Sequence, residues 1–471
     1  MKTLRNLAAA LLAWAAPLMA AAQAPALTTF TVGPTTVTAS ALAGNLSTIW
    51  ELAWGPDNFI WMTERSGRIS RVNPTTGQVL PLLTIADVTE SNESGLLGMA
   101  VMEPFPMSVP PFATYWVFVV YNYTDQGVLK EKLVRYTYTT NGAIGSPLVL
   151  LGNITATTNH SGSRLLILPD RTLLMTTGDA LLTSEAQNRA SLNGKILRLN
   201  LDGSIPADNP TAGSPVYTLG HRNPQGLVRL PNGRIYSSEH GPSNDDEINK
   251  IEAGRNYGWP NVEGLCDLPA EATFCAANNV REPLTTWTPT IAPAGLAYYD
   301  HPAIPSWRGS LLLAVLKDHK LTQLTLDAAG LTIPSRTDFL TAFGRLRAIC
   351  VSPQGRVYIG TSNRDGRGSP AATDDRILVL ENRAYVATAT RANSEEFSFE
   401  VFPNPARRQA TVQLPASVTR LTVRDLLGRA VLTVRPTSPA ITLDLAALRP
   451  GRYLVQAESS TGTSTRKLVV E

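Results

Sequence analysis

One pattern constrains this 471-residue chain more than any other: an apolar stretch, a turn built on proline, then a β-rich run, repeated along most of its length. The clear copies are Trp54-Gly-Pro56-Asp-Asn-Phe-Ile-Trp61, Leu168-Pro169-Asp-Arg-Thr-Leu-Leu174, Leu230-Pro231-Asn-Gly-Arg-Ile-Tyr236 and Ser352-Pro353-Gln-Gly-Arg-Val-Tyr358. Their prolines are spaced by roughly two, one and two multiples of about 60 residues, and weaker copies at Pro111 and Ser306 fill the gaps. Six units between about 40 and 382 result, each a small sheet that cannot bury its own faces alone. Such units predict an all-β six-bladed β-propeller, with a two-sheet sandwich array as the alternative. The 34 Gly and 34 Pro fit many short strands and turns and disfavour a helical bundle.

The two ends read differently. Residues 1–23 run from Met1-Lys2-Thr3-Leu4-Arg5 through an apolar stretch to Ala20-Ala21-Ala22-Gln23, the basic, apolar and small-residue order of a secretory signal. No later apolar run approaches the length of a bilayer span, so an exported protein without a transmembrane segment is expected, its main domain covering 24–382. Residues 383–396 lose the repeat and read as a linker. From 397 to 471 a compact β-rich segment predicts a small β-sandwich with no His and no Cys, and hence no chemistry. That segment carries ten Arg/Lys against five Asp/Glu, so the net charge of +3 leaves the rest of the chain at −2 and without a basic field for nucleic acid. In an exported chain, Cys266 and Cys275 read as a disulfide and Cys350, in an apolar strand, as buried and unreactive.

Walker A, HExxH, CxxC and GxSxG motifs are missing, and Gly366-Arg-Gly368 reads as a turn because Pro370 and a following strand deny it a helix. His160, in the small-residue loop Asn159-His160-Ser161-Gly162-Ser163, is the histidine best placed to take a proton from a hydroxyl; the bland alternative is a loop histidine bonded to backbone. Asp179 is its candidate orienting carboxylate, or else a turn-capping Asp. Arg345 and Arg347 flank Leu346, so a strand's period of two sends both guanidinium groups to one face. That face either binds a polyanion or is solvated. Lys317 ends the apolar run Leu311–Leu316, where snorkelling to solvent is the simple reading. The densest polar stretch, Tyr217–Gly226 followed by Glu239–Glu247, offers carboxylates and Gly-Pro carbonyls to a hard cation, or forms an acidic surface turn.

Taken together, Glu93-Ser-Gly-Leu-Leu-Gly98, the stretch from His160 to Asp179, Asn193–Pro206, Tyr217–Gly226, Glu239–Asn249, Asn256-Tyr-Gly-Trp-Pro260, Ile291–Tyr298 and Arg345-Leu-Arg347 resemble the soluble quinoprotein glucose (aldose sugar) dehydrogenases, in family order over about 45–382. The resemblance implies pyrroloquinoline quinone (PQQ) and Ca²⁺ as cofactors and oxidation of an aldose at C1 to a lactone. It makes His160 the base and Asp179 its partner. Arg222, Asn223, Lys317, Arg345 and Arg347 become quinone ligands, and the main-chain oxygens of Gly241 and Pro242 calcium ligands. Asp267 is implied as ligand of a second, structural calcium. Glu93, near the cofactor, stands where some glucose-oxidising members have an amide. Non-enzymatic binding propellers and metal-dependent lactonases are the rival classes. Phe402-Pro-Asn-Pro405, Asp425-Leu-Leu-Gly-Arg429 and Leu448–Leu454 resemble the C-terminal sorting domain of the type IX secretion system. That implies export to the surface or exterior of a Bacteroidetes-type bacterium, with the secretion machinery as a partner beside the sugar and an electron acceptor that no motif names.

Overall fold

A computed structural model describes residues 24–103, 114–139, 142–386, 399–415, 418–425, 429–436, 438–459 and 463–471. The signal segment 1–23, most of the linker, the start of the weak turn copy at Pro111 and the middle of the Asp425–Arg429 turn lie outside these residues. The chain is all-β and divides into two compact units, Met1–Ala384 and Tyr385–Glu471.

Among the described residues the first unit holds six antiparallel sheets, five of four strands and one of five. Their innermost strands are Ile49–Trp54, Leu96–Met102, Gly162–Ile167, Pro224–Arg229, Pro293–Tyr299 and Leu346–Val351. Each of these packs against the next, and the last against the first, so they close a cycle of the β-propeller kind.

The proline turns are one local device used repeatedly. In each clear copy the residue before proline, Gly55, Leu168, Leu230 or Ser352, donates its N–H to the carbonyl four residues on, at 2.8, 2.8, 2.8 and 2.9 Å. The residue before that carbonyl is left-handed every time: Asn58 (φ 60°), Arg171 (65°), Gly233 (92°) and Gly355 (77°). Proline supplies the fixed φ that starts the turn, and the left-handed residue reverses the chain into the second strand of its sheet.

Closure uses the two ends of the unit. Strand Thr35–Ala43 pairs with Ile377–Glu381, and Ala26–Val32 pairs outside it, so the sixth sheet is built from both ends of the domain. A count of units starting near residue 40 leaves these two strands unassigned, because a pairing across more than 330 residues has no local signal. Sheets one and six then share a core that includes Ile49, Leu52, Ile60, Met62, Tyr358 and Ile377. Cys266 and Cys275 form the expected disulfide, and Cys275 lies within a helix, Pro269–Asn278, opened by proline and by Glu271 accepting from the Leu268 N–H at 3.2 Å. Cys350 is buried and free, and burial pushes its thiol up, as an inert core cysteine requires.

In the second unit, strands Glu400–Phe402, Gln409–Gln413 and Ala440–Asp444 form one sheet. Ala430–Val434, Val418–Arg424, Gly451–Ser459 and Thr463–Val470 form another. Val412 and Leu443 of the first sheet share a core with Leu421, Val455 and Leu468 of the second.

The approach of sheets two and three is set by Gly98, where an added Cβ would strike the Ser163 carbonyl. Backbone cannot yield there as a flexible side chain does. Gly98→Ala is therefore expected to cost about 1–3 kcal/mol of stability, read as a lower urea midpoint at unchanged slope.

Candidate active site

The loop that delivers His160 is held in an unusual shape. His160 (φ 58°), Gly162 (64°) and Ser163 (74°) all lie in the left-handed region, a costly choice for two residues with side chains. Several independent contacts hold it there. The His160 N–H donates to Glu93 Oε2 at 3.1 Å, the Gly162 N–H to Asn223 Oδ1 at 3.1 Å, and the carbonyl of His160 accepts from the Ala180 N–H at 3.3 Å. Gly178 lets that carbonyl pass, since a Cβ would collide with it.

The imidazole Nδ1 lies 2.8 Å from Asp179 Oδ1. Asp179 is fully buried and held on both oxygens: Oδ1 also accepts the Leu181 N–H at 2.9 Å and Oδ2 the Trp259 indole N–H at 2.9 Å. A carboxylate so fixed favours the proton on Nδ1, leaving Nε2 with its lone pair. The His160 side chain keeps 12% of its surface exposed, enough for one ring edge to meet a ligand.

Beside the loop lies a cavity of about 60 Å³ on the ring axis, walled by Trp50, Leu97, Gly162, Gln225, Leu316 and Arg347, one residue from each sheet or its adjoining loop. Arg345 and Arg347 both reach it, as their spacing implies. Arg345 Nε and Arg347 Nη2 share Asp365 Oδ2 at 2.8 and 3.3 Å. Burial works against the charge of Asp365, but the two arginines outweigh it and hold its carboxyl below the usual range. For Arg347 burial dominates and brings the guanidinium down to about 10. Two buried cations over one anion leave a net positive charge facing the cavity.

Glu93 also lines the cavity, and its Oε1 accepts from Arg367 at 2.7 Å. Arg222 donates from Nη1 to the carbonyls of Gly241 and His240 at 2.8 and 3.2 Å and sits over the Trp259 ring. Three buried polar atoms here have no protein partner: Arg222 Nε, Asn223 Nδ2 and His240 Nε2. Burial depresses His240 to about 3, against the opposing charge of Glu93 and with Arg222, Arg347 and His160 adding to the fall, so its ring is neutral. That interplay places Glu93, His160, Arg222, His240 and Arg347 within one electrostatic neighbourhood. Lys317 stands at the rim, exposed, with Nζ 2.8 Å from Thr290 Oγ1 and its neighbour Leu316 in the wall.

Gly241 and Pro242 line a second, smaller cavity with Glu239, Glu247 and Glu263. Burial pushes the Glu247 carboxyl well up, with Glu239 adding to the rise. Asp267 is not brought here: it is exposed beside Cys266. Among the described residues no group of three His, Cys, Asp or Glu side chains is placed to hold a metal. The other polar-stretch histidine, His221, is fully buried between Thr218, Glu239 and the Tyr257 ring, a structural position.

Residues 46–378 match the family model for glucose/sorbosone dehydrogenase. The chain belongs to the glucose/sorbosone dehydrogenase family. Quinoprotein glucose dehydrogenase B of Acinetobacter calcoaceticus is 33% identical over 425 residues, covering 72% of this chain and 88% of that one. Aldose sugar dehydrogenase of Escherichia coli K12 is 29% identical over 351 residues, covering 71% and 92%. The solved PQQ-bound aldose sugar dehydrogenase of Streptomyces coelicolor aligns with a TM-score of 0.63 and 32% identity, over 74% of this chain and 99% of its own. Residues 400–471 match a secretion system C-terminal sorting domain, and among the described residues no helix is long and apolar enough to cross a membrane.

Within the span matched to the dehydrogenase family, Asp365, Gln225, His240 and Arg367 escaped sequence reasoning. Asp365 directly precedes the Gly366-Arg-Gly368 turn, and an acid two residues from an exposed Arg was the available signal. Replacing this shared counter-ion by Asp365→Asn should strand two buried cations and cost about 3 kcal/mol in chemical denaturation, less when a polycarboxylate ligand is present.

Proposed function

We propose that this chain is an exported quinoprotein that oxidises an aldose at C1 to its lactone, with PQQ and Ca²⁺ as cofactors. In this reading the six sheets are six blades over residues 24–382, a linker covers 383–396, and 397–471 form a β-sandwich sorting domain that directs the chain through the type IX machinery to the cell surface or beyond. The observation that carries the reading is the convergence of Arg345, Arg347 and the unpartnered Arg222 and Asn223 donors beside the His160–Asp179 pair.

These residues fit the quinone. Unpartnered buried donors are costly unless an acceptor completes them, and a compact polycarboxylate supplies such acceptors among the arginines. Arg222, Asn223, Arg345 and Arg347 would hold its carboxylates and carbonyls, with Lys317 closing from the rim. Ca²⁺ would take the Gly241 and Pro242 main-chain oxygens, of which the Gly241 oxygen accepts from Arg222 in this structure. When bound, PQQ supplies an electron-poor quinone able to accept a hydride.

The chain's own residues do the rest. His160 Nε2 takes the proton of the C1 hydroxyl, which raises the electron density that expels the C1 hydride. Asp179 keeps the ring oriented and stabilises the imidazolium that forms, and Trp259 fixes Asp179. Arg222, Arg345 and Arg347 stabilise negative charge developing across the axis in a site with little water. Glu93 holds the His160 backbone and presents a carboxylate beside the site of the quinone.

The test adds PQQ and Ca²⁺ to the full chain and follows reduction of an artificial dye with a panel of aldoses. His160→Ala should bind the quinone yet lose turnover by about 10²–10⁴-fold, the usual worth of a general base. Quinone binding without turnover of any aldose would favour a binding propeller. Lactone hydrolysis without dye reduction would favour a hydrolase.

A further inference from the structure

A second carboxyl lies directly behind the His160 loop. Glu131, on strand Val128–Thr139, is 2% exposed. Its Oε2 accepts from Ser163 Oγ at 3.1 Å and lies 3.5 Å from Asn122 Nδ2, while its Oε1 has no partner. Asn122 carries the contact onward: Nδ2 lies 3.3 Å from Ser161 Oγ, and Oδ1 accepts the Gly95 N–H at 3.1 Å. Glu131 is thus joined to both loops that meet at the cavity, the one bearing Glu93 and the one bearing His160.

We propose that Glu131 is a positioning residue that holds the His160 loop in its left-handed conformation. The argument is one of strain. Two non-glycine left-handed residues three positions apart each cost of order 1 kcal/mol and persist only where the surroundings over-determine them. At Ser163 the hydroxyl is gripped by Glu131 and by the Ser161 carbonyl at 3.1 Å, so Glu131 is one of two anchors at the loop's C-terminal end.

The protonation state of Glu131 bears on the stability of the fold around the loop. No cation among the described residues pairs with Glu131. Its strand neighbours Lys130 and Lys132 pair with Asp125 and Asp87, Arg164 pairs with Glu51, and the His160 ring faces Asp179. The facing strand Ile144–Thr155 carries no charged residue. Burial therefore wins over the hydrogen bonds from Ser163, Ser161 and Asn122 and raises the carboxyl to about 8. With the folded value above the unfolded one of 4.5, its stabilising effect is whole below about pH 4.5 and is lost as pH rises to about 8. Above that, the folded protein carries a buried carboxylate whose hydrogen bonds only partly offset its desolvation, so the fold around the loop is less stable.

The inference rests on the reading of His160 as base, and the test separates the two. In the full chain without quinone or sugar, hydrogen–deuterium exchange at pH 7 over residues 158–166 should be faster in Glu131→Ala than in wild type, and unchanged in Glu131→Gln. With PQQ, Ca²⁺ and sugar, Glu131→Ala should lower kcat at least about tenfold. Wild type should show an alkaline limb near pH 8, and Glu131→Gln should retain kcat at pH 7 and lose that limb. Equal exchange in Glu131→Ala and wild type, or an alkaline limb persisting in Glu131→Gln, would overturn the assignment. Full turnover in His160→Ala would instead overturn the base reading, leaving the exchange result to stand for Glu131 by itself.

Discussion

The pairing of Thr35–Ala43 with Ile377–Glu381 is the constraint on which the rest depends. Each four-stranded sheet is stable only against its neighbours, and an open row would leave two apolar faces in water. Joining the two ends of the domain in one sheet turns the row into a ring, and only a ring brings an inner strand from every sheet to a common axis. The cavity is a product of that closure, since it borrows its wall from all six sheets.

At the axis, electrostatics rather than apolar packing sets the character of the site. Arg345 and Arg347 lie buried over one Asp365, Arg222 is spent on main-chain carbonyls, and three donor or acceptor atoms remain without partners. Protein interiors seldom tolerate such an imbalance unless a ligand completes it. The same region stores backbone strain at His160 and Ser163, held by side chains from the neighbouring sheets two and four. Charge imbalance and strain in one place are the usual marks of a functional centre.

Much of this was legible in the chain itself. The proline turns gave away the repeat because each is a local conformation that five residues determine. Arg345 and Arg347 were readable as one face because strand periodicity is local too. The strands Ala26–Val32 and Thr35–Ala43 were not assignable to the last sheet, since their partners lie at the other end of the domain. Asp365 and His240 matter only through what they meet across the axis, and neighbours in sequence do not reveal that. The helix Pro269–Asn278, which contains Cys275, was not read from the sequence although its opening proline and alanines favour it.

The shared sixth sheet also dictates timing. Glu93 and His160 leave the ribosome long before Arg345 and Arg347, and the strand that seals the ring is the last of the first unit. Until Ile377–Glu381 is available, strand Thr35–Ala43 lacks its inner partner, so a nascent chain holds the axial side chains without the cavity that gathers them. The ring, and with it the cavity on its axis, is complete only once that strand is in place.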